Sequence, residues 1–142
     1  MNKILIGADP ELFLRNKNTL KMISAVGLIG GSKMEPRYIS DEGHAIQEDN
    51  VMVEFNIPPS NSWDKLYYNI EYVIDYLKNI LSKDLELYIK PSVLFESNEL
   101  DTPQAQMFGC EPDYNTWLND RNPNIDSNTN LRTAGKIDCQ II

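Results

Sequence analysis

Glu54 and Asn56 are the first residues in this chain whose types and spacing could do chemistry. They lie in Asp49-Asn50-Val51-Met52-Val53-Glu54-Phe55-Asn56-Ile57-Pro58-Pro59, where Val51, Val53 and Phe55 alternate with Met52, Glu54 and Asn56. A period of two is the mark of a half-buried β-strand. On that strand a carboxylate and an amide share one face, with Met52 beside them. Such a pair can hold a cation or a polar ligand, but taken alone the strand reads first as an ordinary solvated face. Pro58-Pro59 ends the strand, because proline has no N–H to give to a ladder.

Two other stretches invite a chemical reading and support it less. Gly27-Leu28-Ile29-Gly30-Gly31-Ser32-Lys33 is glycine-rich and ends in a lysine. Its spacing does not fit GxxxxGK[ST], and no strand-to-helix frame surrounds it, so it reads as a flexible turn. His44, the only histidine, lies in the polar segment from Glu35 to Asn50 and reads as a surface residue.

The elements that must position these residues follow from pattern. Lys3-Ile4-Leu5-Ile6 reads as a short strand ended by Gly7. Glu11–Arg15 and Leu20–Ser24 flank Asn16-Lys17-Asn18-Thr19, a hairpin turn. After Pro59 the period changes. Trp63, Leu66, Tyr67, Ile70, Val73, Ile74, Leu77, Ile80 and Leu81 recur at three- and four-residue steps, the apolar stripe of a helix facing the core. Asn61 with Asp64 is the expected N-terminal cap, and the helix runs for about five to six turns. Glu86–Lys90 and Ser92–Phe95 read as a strand bent at Pro91. Leu100 to Phe108 reads as a short helix started by Asp101-Thr102-Pro103, and from Gly109 onward the chain is rich in turn residues. Strands, one long helix and a further strand make an α+β fold with an antiparallel-rich curved sheet packed by that helix.

Composition bounds the function. The 142 residues suit one domain with a core, and apolar content is ordinary. Thirteen basic against 21 acidic residues leave a formal charge of −8. That disfavours nonspecific nucleic-acid binding, which needs neutralised phosphates, and suits a basic partner or a carboxylate metal site. Lys17, Lys21, Lys33 and Arg37, concentrated early in the chain, would be the local basic face if a specific RNA were bound. Cys110 and Cys139 form no CxxC pair and read as free thiols of a reducing compartment, with one disulfide as the alternative. Lys3 and a short apolar run are followed at once by Asp9 and Glu11, which fits neither a signal peptide nor a membrane span. A soluble, cytoplasmic protein is expected, with homo-oligomerisation left open.

Four segments in order carry a resemblance: Gly7-Ala8-Asp9-Pro10-Glu11-Leu12-Phe13; Asp49-Asn50-Val51 leading into Glu54–Pro59; Phe108-Gly109-Cys110-Glu111-Pro112-Asp113-Tyr114-Asn115; and Leu131-Arg132-Thr133-Ala134-Gly135. Together they resemble the phage-encoded carboxylate–amine ligases, a branch of the glutamine-synthetase and glutamate–cysteine-ligase superfamily. The resemblance implies ATP-dependent activation of a carboxylate to an acyl phosphate, which an amine then attacks. Phosphates and a carboxylate sharing one pocket call for divalent cations, and magnesium takes oxygen ligands. On this resemblance Glu11 and Glu54 match the metal-binding acidic positions, and Asn56 a polar neighbour. Arg132 matches a basic residue near phosphate or substrate, while Gly109, Asp113 and Tyr114 shape the pocket wall.

The chain departs from that pattern at its end. Where the family continues with a glycine and a His-x-His strand, Lys136-Ile137-Asp138-Cys139-Gln140-Ile141-Ile142 follows, with Ile137 and Cys139 in the histidine places. The expectation is a single truncated amidoligase-like domain over residues 1–142, partial relative to the glutamine-synthetase-like fold. It would be a noncatalytic phage protein that binds a host factor, such as a component of an anti-phage or CRISPR defence. The alternative is an ATP- and magnesium-dependent ligase forming an amide through an acyl phosphate.

Overall fold

The structure is a computed structural model that describes residues 4–106 together with 114–115 and 120–121. Its frame is an antiparallel sheet that curls into a half-barrel against one long helix. In chain order the strands are β1 (Glu11–Asn16), β2 (Met22–Ile23), β3 (Arg37–Tyr38), β4 (Ala45–Asp49) and β5 (Met52–Asn56). Helix α1 (Trp63–Ile80) follows, then β6 (Leu85–Tyr88), a 3-10 turn at Ser97–Leu100 and the four-residue α2 (Pro103–Gln106). The short pair β7 (Tyr114–Asn115) and β8 (Asp120–Arg121) forms a separate ladder. The main sheet runs β2-β1-β5-β4-β3, and β6 also pairs with β1.

Register assigns each residue to a face, because directly opposed residues in an antiparallel pair point the same way. Leu12 opposes Val53, and Ile46 opposes Phe55. With Leu14 they bury against Leu66, Val73 and Leu77 of α1 in the main core. Leu14, Ile46, Val53, Val73 and Leu77 are wholly enclosed, each contributing about 1.5–3 kcal/mol by removal from water. The other face carries Glu11, Gln47, Asp49, Glu54 and Asn56. A second apolar cluster, Phe13, Met22, Val51, Met52 and Ala105, closes over part of that face, with Tyr88, Val93, Phe95 and Leu100 packed around it.

Local chemistry explains the turns. The Asn16 side-chain oxygen accepts the Asn18 and Thr19 amides at 2.9 Å each, and Leu20 takes a positive φ of 59° to close the expected hairpin. Between β4 and β5 the pair Asp49↔Met52 leaves a two-residue turn, Asn50-Val51, with Asn50 at φ 55°. Asparagine tolerates that left-handed conformation where a β-branched residue would not.

The helix is present, but its cap and the start of its buried stripe differ from the sequence expectation. Ser62, not Asn61, is the N-cap, its oxygen accepting the Lys65 amide. Trp63 and Tyr67, expected in the buried stripe, are 74% and 64% exposed, and the buried line is Leu66, Asn69, Val73 and Leu77. The rest of the stripe holds, with Leu66, Val73 and Leu77 buried and Ile70, Ile74, Ile80 and Leu81 packed against the core, and it takes in one polar residue, Asn69. His44 is the reason. Far from lying on the surface, it is 2% exposed and packs on the Tyr72 ring at 4.6 Å between centroids. The Asn69 amide nitrogen donates to Pro58 O and Ser60 Oγ, leaving its oxygen as acceptor for His44 Nε2 at 3.2 Å, while Ser40 Oγ meets Nδ1 at 2.7 Å. Each polar atom of this group has a partner, which is the condition for burying it.

Four smaller expectations also change. The Lys3–Ile6 strand reduces to one bridge between Ile6 and Ser60, and Lys3 lies outside the described residues. The bent strand reduces to β6, which ends at Tyr88, and Ser92–Phe95 is not a strand. The helix expected from Leu100 to Phe108 contracts to Pro103–Gln106, opened by Thr102 Oγ1 accepting the Ala105 amide, with Phe108 outside the described residues. The early basic residues are dispersed: Lys17 donates to Lys83 O, Lys21 pairs with Glu96, and Arg37 reaches Tyr76 on α1. No helix among the described residues is long and apolar enough to cross a membrane.

Candidate metal centre

The β1–β5–β4 register brings Glu11, Glu54 and Gln47 into one row across three strands, since Glu11 opposes Glu54 and Glu54 opposes Gln47. Asp49, two residues beyond Gln47 on β4, turns to the same face. A carboxylate oxygen from each of Glu11, Asp49 and Glu54 lies within 4.8 Å of the others. Charges that close repel by at least about 3 kcal/mol per pair at an effective dielectric near 20. The cluster therefore needs protons, a cation or both.

The protonation behaviour follows. Glu11 is pushed up to about 7 from 4.5, first by burial and then by the charges of Asp49 and Glu54, with Lys33 working the other way. Burial also raises Glu54, opposed chiefly by the hydrogen bond from Gln47 and then by Lys33, while Asp49 and Asp9 add to the rise. Gln47 Nε2 donates to Glu54 Oε2 at 2.7 Å, and Asn56 Nδ2 donates to Gln47 Oε1 at 3.3 Å. Asn56 thus acts one step back: it orients Gln47, which orients Glu54. Beside Asp49, the Asn50 Oδ1 atom is buried with no hydrogen-bond partner among the described residues.

The donor set suits a hard divalent cation. It is all oxygen, without thiolate or imidazole, as magnesium or manganese prefers. At metal–oxygen distances of about 2.1 Å, neighbouring ligand oxygens in an octahedron stand about 3 Å apart and opposite ones about 4.2 Å. Oxygens within 4.8 Å reach those separations by small side-chain rotations.

Glu48, on the same strand as Asp49, has a different environment. It faces the core side and accepts the amides of Gly27 at 3.0 Å, Ile29 at 3.3 Å and Gly30 at 2.9 Å, together with Gln104 Nε2 at 3.1 Å. The glycine-rich stretch is no phosphate loop, as expected, but neither is it a flexible turn. Its amides wrap a carboxylate of the protein itself.

Sequence reading placed Glu54 and Asn56 on one strand face, and they lie there; the resemblance supplied Glu11, and pairing sets it against Glu54. It passed over Asp49 and Gln47, whose only signal was even spacing on β4 read together with the Asn50-Val51 turn. Arg132, Gly109, Asp113, Cys110 and Cys139 lie outside the described residues, and the Tyr114 backbone is in β7. No protein-family model, curated protein or solved structure matches the chain.

Proposed function

We propose that this protein carries the cation-binding part of an ATP- and magnesium-dependent carboxylate–amine ligase site, with Glu11, Asp49 and Glu54 as the metal ligands. The observation that carries this reading is the convergence of three carboxylates from three strands on one face, with Glu11 pushed up to about 7. Unpaired like charges at such proximity destabilise the metal-free fold, and sites that accept this cost are commonly functional. A bound magnesium ion supplies charge neutralisation for phosphate oxygens in this reaction class. The chain's own groups do the rest: Gln47 holds Glu54 in place, and the Phe13–Met52 cluster limits water on one side. Arg132 is the proposed contact to phosphate or substrate, and the glutamine-synthetase-like ancestry of the half-barrel belongs to the same proposal.

A second reading is a noncatalytic phage protein that binds a host factor. Its support is the formal charge of −8, which would steer the protein to a basic surface built for nucleic acid. One experiment separates the two. Purified protein is incubated with ATP, magnesium and a panel of carboxylates and amines, and ADP release is measured. The ligase reading expects amine-stimulated turnover that Glu54→Ala abolishes. Absence of turnover, with manganese binding retained, leaves the binding-protein reading.

A further inference from the structure

Trp63 and Tyr67 stand in water on α1, and Tyr68 beside them is exposed as well. The helix buries Leu66, Asn69, Val73 and Leu77, which fixes its outward face. On that face Tyr67 lies one turn after Trp63 and Asp64 and one turn before Glu71, within side-chain reach of each. Both carboxylates are exposed. The N-terminal half of α1 therefore presents aromatic rings interleaved with acids. Trp and Tyr are the side chains most enriched at the centres of protein interfaces, and here they are gathered on consecutive turns of one helix.

The chain itself shows what a ring beside a carboxylate holds. Lys65 Nζ stands 5.0 Å from the Tyr68 centroid and 3.0 Å from Glu42 Oε2. The Arg15 guanidinium lies 4.0 Å over the Tyr88 ring while pairing with Glu86. In both places a cation is shared between an aromatic face and a carboxylate, so the attraction of the ring adds to that of the charge. Trp63 and Tyr67 with Asp64 and Glu71 repeat the ring-and-carboxylate half of that arrangement. Among the described residues no cation lies over either ring and none pairs with either acid, since Lys65 answers Glu42 and Lys78 answers Asp75.

Sign decides between occupants. A second copy would bring the same uncompensated carboxylates to a self-complementary contact, and nucleic acid or an anionic lipid surface would bring phosphates. With 21 acidic against 13 basic residues, the field of the whole chain repels these and draws a cation. We propose that the outer face of the N-terminal half of α1 is a docking surface for a basic protein segment, whose arginine or lysine side chains lie on Trp63 and Tyr67 and reach Asp64 and Glu71. Arginine fits best, because its planar guanidinium stacks on a ring and forks to a carboxylate at once. The helix packs on the face of the sheet opposite Glu11, Asp49 and Glu54, so the partner leaves that cluster open and the proposal stands apart from the ligase-site reading.

Fluorescence anisotropy of labelled oligo-arginine and oligo-lysine peptides of equal length, titrated with the full chain at about 0.15 M salt, tests this. The unaltered protein should bind the arginine peptide at least about fivefold tighter than the lysine one. Trp63→Ala with Tyr67→Ala, which changes no charge, should weaken arginine binding at least about tenfold, and Asp64→Asn with Glu71→Gln should do the same. Removing two exposed acids of other segments, by Glu35→Gln with Asp101→Asn, should change it less than about twofold. Equal losses from the two acid pairs would mean that net charge alone binds the peptide, and the proposal fails. It fails too if the unaltered protein binds neither peptide, or if the Trp63 and Tyr67 substitutions leave arginine binding unchanged. A dimer in sedimentation that Trp63→Ala returns to monomer would assign the face to a second copy and overturn the proposal. Manganese binding at the carboxylate cluster is measured separately, so failure here leaves the ligase-site reading as it stands.

Discussion

Glu48 and Glu54 are both buried, on neighbouring antiparallel strands of one sheet, and their surroundings are opposite. Glu48 accepts four hydrogen bonds, three from backbone amides, and ties the Gly27–Gly30 loop and Gln104 to β4. Glu54 accepts one from Gln47 and otherwise meets Glu11 and Asp49. A carboxylate surrounded by donors is a structural clamp, because its charge is compensated inside the fold. A carboxylate beside carboxylates is compensated by this fold only in part, through Gln47 and the charge of Lys33. Burial alone would have classed the two together; counting donors separates them.

The largest expected effect tests the clamp. Glu48→Ala strands three amides that have no other acceptor here, and should cost about 3 kcal/mol or more in chemical denaturation. A loss below about 1 kcal/mol would remove the distinction between the two glutamates. The matching substitution at the site should behave in the reverse sense. Glu54→Gln leaves the metal-free protein as stable or more stable at pH 8, by up to about 1 kcal/mol, while manganese affinity drops at least about tenfold. Destabilisation by Glu54→Gln comparable to that of Glu48→Ala would recast Glu54 as structural.

The third effect is a pH dependence, and its sign is fixed. Glu11 rises from 4.5 to about 7 on folding, so the folded state binds more protons than the unfolded one between those values. Metal-free stability therefore falls as pH rises from about 4.5 to about 7 and levels off above. Urea midpoints at pH 5, 6, 7 and 8 should trace that decline, and Glu11→Gln should flatten it. Manganese affinity runs the other way, weakening as pH drops below about 7, since ligands must lose their protons to coordinate. Urea midpoints that rise with pH over this range would contradict the environment described for Glu11.

How much was legible beforehand depended on whether a signal was local. The β5 strand with Glu54 and Asn56 on one face, its end before Pro58, the Asn16–Thr19 turn and the existence of α1 all follow from period, turn chemistry and proline. These operate within a few residues of chain, so the sequence by itself determined them. The burial of His44, the burial of Asn69 on α1 and the Glu48 clamp depended on partners far away in the chain. Asn69 carried no signal of its own, and its burial follows from meeting His44 and Ser60. The three-carboxylate cluster is the clearest case. Glu54 stands out on its own strand and Glu11 through the resemblance, but Asp49 carries no such signal. Only the pairing of Glu11 with Glu54, and the tight turn that sets Asp49 beside them, makes one charged site of three. Alternation says which face a residue takes, but only tertiary structure decides which strands share that face.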